Sequence, residues 1–298
     1  MQKTDSRVIR GCISATLGAM CWGVSGTFSQ FVFTNFPHVT SLWLSCMRML
    51  FSGLLLTLIS LPKHGKQFVE IWKYPRDIGR VAVYGLGGLL LCNYAYSSGI
   101  YHSNAATTTV LKTLNVVFIM VITCLQTRRK PRRNEFWSVM LALIGTYLLV
   151  TGGDPRQMIL SPQGLFWGLA TAVGATLYTL VGRPLLKRWN QGIILGIAMT
   201  MAGIFINGVS RSWTMGITLP PVGWLAVGVT VVIGSLAFFL FLQGIRDAGP
   251  VRASILSVGE PLVAVVLGVV WLGDSFSLVQ LLGFAAILAI VFLLAKDE

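Results

Sequence analysis

Long apolar segments separated by short polar stretches run through the whole chain. A helix needs about 20 mostly apolar residues to cross a hydrocarbon core about 30 Å thick. Strand-like alternation of apolar and polar residues between turns, which would indicate a membrane barrel, is not found. The pattern predicts an all-α integral membrane protein with ten transmembrane helices. These segments are residues 12–33, 41–61, 80–98, 105–126, 136–151, 163–182, 193–210, 222–244, 253–272 and 277–295.

Lysine and arginine residues are distributed unevenly among the predicted loops. Nineteen of the 23 fall on one side of the membrane, at residues 3–10, 63–80, 128–133, 183–188, 246–252 and 296. The opposite side has only Arg156 and Arg211, and the remaining two, Arg48 and Lys112, lie inside predicted helices. Because loops rich in Lys and Arg stay in the cytoplasm, we expect both termini to be cytoplasmic.

The composition agrees with a protein of the cell membrane. Hydrophobic residues make up 54% of the 298-residue chain and charged residues 11%, against about 25% charged in soluble domains. The net charge of +13 is explained by the cytoplasmic loops, so we expect a lipid bilayer around the protein and no nucleic acid partner. The run "RRKPRR" (128–133) is interpreted as a juxtamembrane anchor.

The chain divides into two related halves. When residues 93–147 are shifted by 145 positions they align without a gap on residues 238–292, and the segment boundaries coincide. This alignment predicts two five-helix repeats, at residues 8–153 and 161–296. Since five is an odd number, the two repeats enter the membrane from opposite sides. Inverted repeats are the architecture of transporters that work by alternating access.

Several motifs resemble those of the EamA-type transporters of the drug/metabolite transporter superfamily, and the resemblance covers essentially the whole chain. The first half has Pro37 before its second helix and Arg48 within that helix. The first helix of each repeat contains an aromatic residue, in "AMCWG" of the first repeat and "ATLYT" of the second. The segment "GPVRASILSVGEPLVAVVLGVVWLGD" resembles the family's second repeat, with matches at Gly249, Pro250, Arg252, Ser254, Glu260, Pro261 and Asp274. The first repeat departs from this pattern, with Asn115-Val116 in place of a Glu-Pro pair. The resemblance implies a transporter of amino acids, metabolites, drugs or quaternary amines.

Three ionisable residues lie deep in predicted helices: Arg48, Lys112 and Glu260. Such residues cost about 2.5–3.5 kcal/mol each and normally face a partner or a cavity. We interpret Arg48 as a structural charge that reaches the outer interface. At 1.5 Å rise per residue, Lys112 lies about 10 Å from the outer face and Glu260 about 12 Å from the inner one, which leaves about 8 Å between them. Three interpretations remain open: a structural ion pair, a substrate site, or a proton site at Glu260.

Other residues define a predicted pathway between helices three, four, eight and nine. Pro261 lacks a backbone donor in the ninth helix, so a bend is expected there. The residues assigned to the pathway are Lys112, Asn115, Glu260, Trp22, Tyr94, Tyr96, Tyr178 and Gln243. The leading prediction is a secondary transporter or facilitator of a small organic solute. One alternative is a carrier of cationic amines, in which an aromatic cage is formed by Trp22, Tyr94, Tyr96, Tyr178 and Phe238. The other is a membrane sensor or accessory subunit without solute flux.

Signatures of enzymes are absent from the sequence. It contains no HExxH, GxSxG or GxxxxGK[ST] motif, and its three histidines, His38, His64 and His102, form no cluster with metal-ligand spacing. We therefore expect no catalytic residues, no metal and no cofactor. A monomer or a weak homodimer is the expected assembly.

Overall fold

The computed structural model describes residues 2–128, 130–154, 156, 158–248, 253 and 256–294. Within these residues the protein consists of helices, turns and loops, without a β-strand. The all-helical fold class is therefore confirmed for the described part. Of the residues singled out in the sequence, Gly249, Pro250, Arg252, Ser254 and Lys296 lie outside it.

Ten helical units follow one another along the described chain. Eight are long and apolar enough to cross a membrane, and the ninth and tenth are shorter apolar helices. In chain order they are α1 (Gln2–Asn35), α2 (Ser41–Glu70), α3 (Pro75–His102), α4 (Ala105–Thr127), α5 (Arg133–Thr151), α6 (Pro162–Arg188), α7 (Gln191–Ser210), α8 (Pro221–Ala248), α9 (Gly259–Leu272) and α10 (Leu278–Leu294).

The structure corrects several predicted helix limits. Helix α1 begins well before residue 12, and α2 continues to Glu70 although its apolar pattern ends near residue 61. The extension of α2 contains Pro62 and is kinked at His64, whose φ of −132° and ψ of 20° are not helical. Polar residues continue both helices beyond the apolar segment because helical backbone hydrogen bonds do not require hydrophobic side chains. A hydropathy pattern therefore underestimates helix length.

Close packing joins helices of the first five to helices of the second five. Helix α1 packs against α8, α3 against α6, α2 against α7 and α5 against α10, and the first part of α4 contacts α9. Exchanging the two sets of five helices converts the α1–α8 pair into the α6–α3 pair and returns each of the other pairs to itself. These pairings are therefore preserved when the two halves are exchanged.

Two buried aspartates connect helix ends at the lysine- and arginine-rich end of the bundle, which we call the basic end. The carboxylate of Asp247, at the end of α8, lies 3.1 Å from Arg7 and 3.3 Å from Arg10 of α1. Asp77, at the start of α3, accepts hydrogen bonds of 2.8 Å from Arg188 and 3.0 Å from the indole nitrogen of Trp189. An aspartate thus connects each of the two related helix pairs, α1–α8 and α3–α6, by ion pairs at the basic end.

Glycines allow the backbones of α2 and α7 to approach each other closely. A Cβ atom built on Gly203 would lie 2.6 Å from the backbone of Leu50, and one built on Gly53 would meet the backbone and side chain of Thr200. Backbone atoms cannot move aside as a flexible side chain does. Small residues at helix interfaces are typical of membrane bundles, where close backbone packing replaces hydrophobic association.

We predict that Gly203→Ala destabilises the protein by about 1–3 kcal/mol because the added methyl group overpacks the α2–α7 interface. The matched control is Gly208→Ala on the same helix, where an added Cβ has no neighbour within 4 Å. Thermal unfolding in detergent, followed by size-exclusion chromatography, measures both variants. Equal stability of the two variants would contradict the observed close approach.

Candidate functional site

Helix α4 is interrupted near its middle, where the sequence predicted one continuous helix over 105–126. Its first part ends at Lys112 and its second part, Asn115–Thr127, begins three residues later. Between them the amides of Thr113 and Leu114 donate to carbonyls three residues back, at 3.0 and 3.1 Å. The Thr113 hydroxyl also donates to the Thr109 carbonyl at 3.1 Å. Such tight turns inside a helix mark hinges and functional sites.

The predicted ninth helix (253–272) is interrupted within one residue of the repeat-related position: Leu256 is helical, a turn follows, and α9 begins at Gly259. Turn residues Ser257 and Val258 precede it, and the amide of Glu260 donates to the Ser257 carbonyl, three residues back, at 3.0 Å. Pro261, where a bend was expected, lies in the first turn of α9, where a missing N–H breaks no helical hydrogen bond. The structure thus places the interruption just before Pro261. With the shift of 145 positions, residues 113–114 of α4 align with 258–259.

Lys112 and Glu260 meet where these two interruptions face each other. Their side chains form a direct ion pair between the ammonium and Oε1, and the Glu260 side chain is only 5% accessible. Lys112 is the last residue of the first, eight-residue part of α4, and Glu260 lies in the first turn of α9. Each charge therefore has the sign that the local helix dipole favours, worth about 0.3–1 kcal/mol per charge. The two side chains are in direct contact, although straight helices gave a separation of about 8 Å between Lys112 and Glu260.

Aromatic rings flank the ammonium of Lys112. Its Nζ lies 5.4 Å from the ring centre of Trp22 and 5.2 Å from that of Tyr96, within the range of cation–π contacts. The Tyr96 hydroxyl forms a hydrogen bond of 3.1 Å with Thr109, and Phe238 packs against Trp22 with ring centres 5.0 Å apart. Two residues of the predicted cage, Trp22 and Tyr96, thus flank the chain's own lysine, and a third, Phe238, packs on Trp22.

Arg48 lies inside the bundle and not at the outer interface. The residue is only 8% exposed, and its guanidinium donates to the Ser29 hydroxyl at 3.4 Å. Its Cζ lies 5.7 Å from the ring centre of Tyr96. Among the described residues, no carboxylate lies within 4.0 Å of this guanidinium. Arg48 and Lys112 therefore place two positive charges around one ring, with Glu260 as the direct counter-ion of Lys112.

The other predicted pathway residues are placed around or away from this ion pair. Asn115 begins the second part of α4, and its carbonyl accepts a hydrogen bond of 3.3 Å from Thr176. Tyr94 packs on Trp167, and Tyr178 packs against Tyr84. Gln243 lines a cleft of about 480 Å³ at the basic end, between the ends of α1, α2, α7 and α8, which neither Lys112 nor Glu260 lines.

Gln30 is a residue that the sequence interpretation missed. Its amide nitrogen donates to both carboxylate oxygens of Asp274, at 2.8 and 2.9 Å, and its oxygen accepts from the Ala105 amide at 2.8 Å. Gln30 therefore connects α1 with the start of α4 and with the loop after α9. A buried glutamine in an apolar helix was the available signal, but its partners are distant in sequence.

Comparisons with known proteins agree with this architecture. The model of the EamA-like transporter family matches residues 9–151 and 162–296. The uncharacterized inner membrane transporter YicL of Salmonella typhimurium is 33% identical over 290 residues, covering 97% of this chain and 96% of YicL. The uncharacterized inner membrane transporter YedA of Escherichia coli is 28% identical over 57% of this chain and 55% of its own. A solved crystal structure, 18% identical, superposes with a TM-score of 0.65 over 98% of both chains and shares the fold.

The apolar helices and these relatives define a multi-pass membrane protein of a transporter class. The chain belongs to the EamA-like transporter family. The resemblance inferred from the motifs is therefore confirmed, and the names of the relatives support the expected transporter role.

We predict strong energetic coupling between Lys112 and Glu260. Lys112→Met and Glu260→Gln are each expected to lose about 3–5 kcal/mol of stability, because each leaves the other charge buried without its partner. The double variant should lose less than the sum of the single losses. Thermal unfolding of the four proteins measures the coupling. The control cycle uses Asp77→Asn and Arg188→Gln, in which the arginine is 50% accessible, so that solvent screens the pair and we expect a smaller coupling. Additive losses at Lys112 and Glu260 would show that the pair is not coupled.

Proposed function

We propose that the protein is a secondary transporter or facilitator that moves a small organic solute of the amino-acid type across the cytoplasmic membrane by alternating access. The observation that carries this proposal is the ion pair between Lys112 and Glu260 at the facing interruptions of α4 and α9. Transporters commonly bind solutes near the membrane midplane, at discontinuous helices on the interface between repeats. Interrupted backbone is tolerated at this depth only where protein or a cavity covers it.

The helix pairing supports alternating access by two inverted repeats. Each half contributes one interrupted helix and one charge of the pair, and the close helix contacts persist when the halves are exchanged. Ten crossings, with repeats at 8–153 and 161–296, are part of this proposal. In this proposal the cleft at the basic end faces the cytoplasm and is separate from the ion pair, since neither Lys112 nor Glu260 lines it.

The charges favour a solute that carries both an ammonium and a carboxylate group. Such a zwitterion supplies a partner for each member of the ion pair when the pair separates, so that neither charge is left alone in the membrane. This favours an amino-acid-like solute over the cationic amines of the alternative prediction, because Trp22 and Tyr96 already contact the Lys112 ammonium.

We predict that both termini and residue 130 face the cytoplasm, because the Lys- and Arg-rich loops determine the orientation. In a variant without the five native cysteines, Lys130→Cys should react with a membrane-impermeant maleimide only after the cells are opened. Thr214→Cys, which is also exposed, should react in intact cells. The reverse labelling pattern would invert the proposed topology.

We predict that Glu260→Gln abolishes solute flux, because the amide cannot neutralise a substrate ammonium or carry a proton. Uptake of labelled amino acids into proteoliposomes, at several pH values and normalised to monodisperse protein, measures this. The matched control, Glu70→Gln at the exposed end of α2, should retain wild-type flux. Unchanged flux and pH dependence in Glu260→Gln would place the substrate site elsewhere.

A further inference from the structure

The ammonium of Lys112 occupies a complete site for an organic cation. A carboxylate, that of Glu260, contacts it directly, and the rings of Trp22 and Tyr96 lie 5.4 and 5.2 Å away. A carboxylate together with aromatic faces is the combination by which proteins recognise ammonium ligands. The site is held in place by its neighbours, since Tyr96 bonds to Thr109 and a Cβ on Gly26 would meet the Tyr96 hydroxyl.

The local charge balance decides which free solutes this site accepts. Arg48, buried beside Tyr96, adds a positive charge to the Lys112–Glu260 pair, so the three side chains together carry one net positive charge. A simple organic cation that displaced Lys112 would raise the local charge and leave the lysine without its carboxylate. A zwitterion leaves the net charge unchanged and offers a carboxylate to Lys112 or Arg48.

We propose that Lys112 is a tethered ammonium that occupies the cation position of the empty site, and that it determines specificity by excluding simple organic cations. The proposal deepens the proposed function, on which it rests for the identity of the solute. One part of the proposal can be tested without measuring transport: removal of the Lys112 side chain should expose a site for a short alkylammonium ion. Truncation to alanine removes three carbons and the ammonium, which is the size of n-propylammonium.

Binding of n-propylammonium to the purified Lys112→Ala protein tests this inference. Thermal unfolding should show stabilisation by n-propylammonium, with an apparent affinity about 10- to 100-fold higher than that of the neutral analogue n-propanol, because only the cation forms a charged hydrogen bond with Glu260. Lys112→Ala/Glu260→Gln should lose this preference. The wild type, and the control Lys66→Ala with an exposed lysine removed, should show no stabilisation by either compound.

Poor stability of Lys112→Ala does not prevent the test. Lys112→Ser is the second variant, and both are extracted in the presence of n-propylammonium or n-propanol, because a ligand that binds the native state increases its recovery. More monodisperse protein with the ammonium ion supports the proposal. The proposal is overturned if both compounds give equal recovery of monodisperse protein, or if neither gives any. It is also overturned if the wild type binds n-propylammonium as well as Lys112→Ala does. A wild type without amino-acid flux, combined with ammonium-selective binding by Lys112→Ala, would refute the proposed function and leave this inference in place.

Discussion

The ion pair between Lys112 and Glu260 is the interaction on which the organisation of the bundle's middle depends. Neither charge is tolerated alone at this depth without a large loss of stability. Their pairing requires α4 and α9 to be in contact at the positions where each is interrupted. Helix α1 also packs closely at this place, since a Cβ on Gly23 would lie 2.6 Å from the Glu260 carbonyl. The neighbouring Trp22 is thereby brought to the Lys112 ammonium.

The two halves share their backbone arrangement at this site but not their charges. With the shift of 145 positions, Asn115 corresponds to Glu260 and Ser257 to Lys112. Both halves nevertheless have tight turns at the equivalent place, with a proline following in only one of them. The interruption is thus a property of the fold, whereas the charges are specific to each half. A symmetric framework in this way encloses an asymmetric pair of charges.

The buried ionisable residues were recognisable in the sequence, because charged side chains are rare inside long apolar segments. An ion pair between Lys112 and Glu260 was one of the open interpretations, but their direct contact could not be derived, because their separation was estimated for straight, continuous helices and the structure has turns at residues 113–114 and 257–258. No proline indicates the α4 interruption in the sequence. The interruption consists of backbone hydrogen bonds to carbonyls three residues back, which any residue except proline can donate. The environment of Arg48 and the contacts of Gln30 were also not predictable, because each depends on residues from other helices.

The sequence by itself determined the helical membrane class, the approximate position of each apolar helix and the family. Transfer of apolar side chains into a membrane is nearly additive along the chain, so these properties are local and can be derived from composition and order. Only the tertiary structure decided which helices pack together, where two of them are interrupted and that Lys112 lies between Glu260, Trp22 and Tyr96. The contact between Lys112 and Glu260 joins residues 148 positions apart, and it forms because a buried charge must find its partner in space.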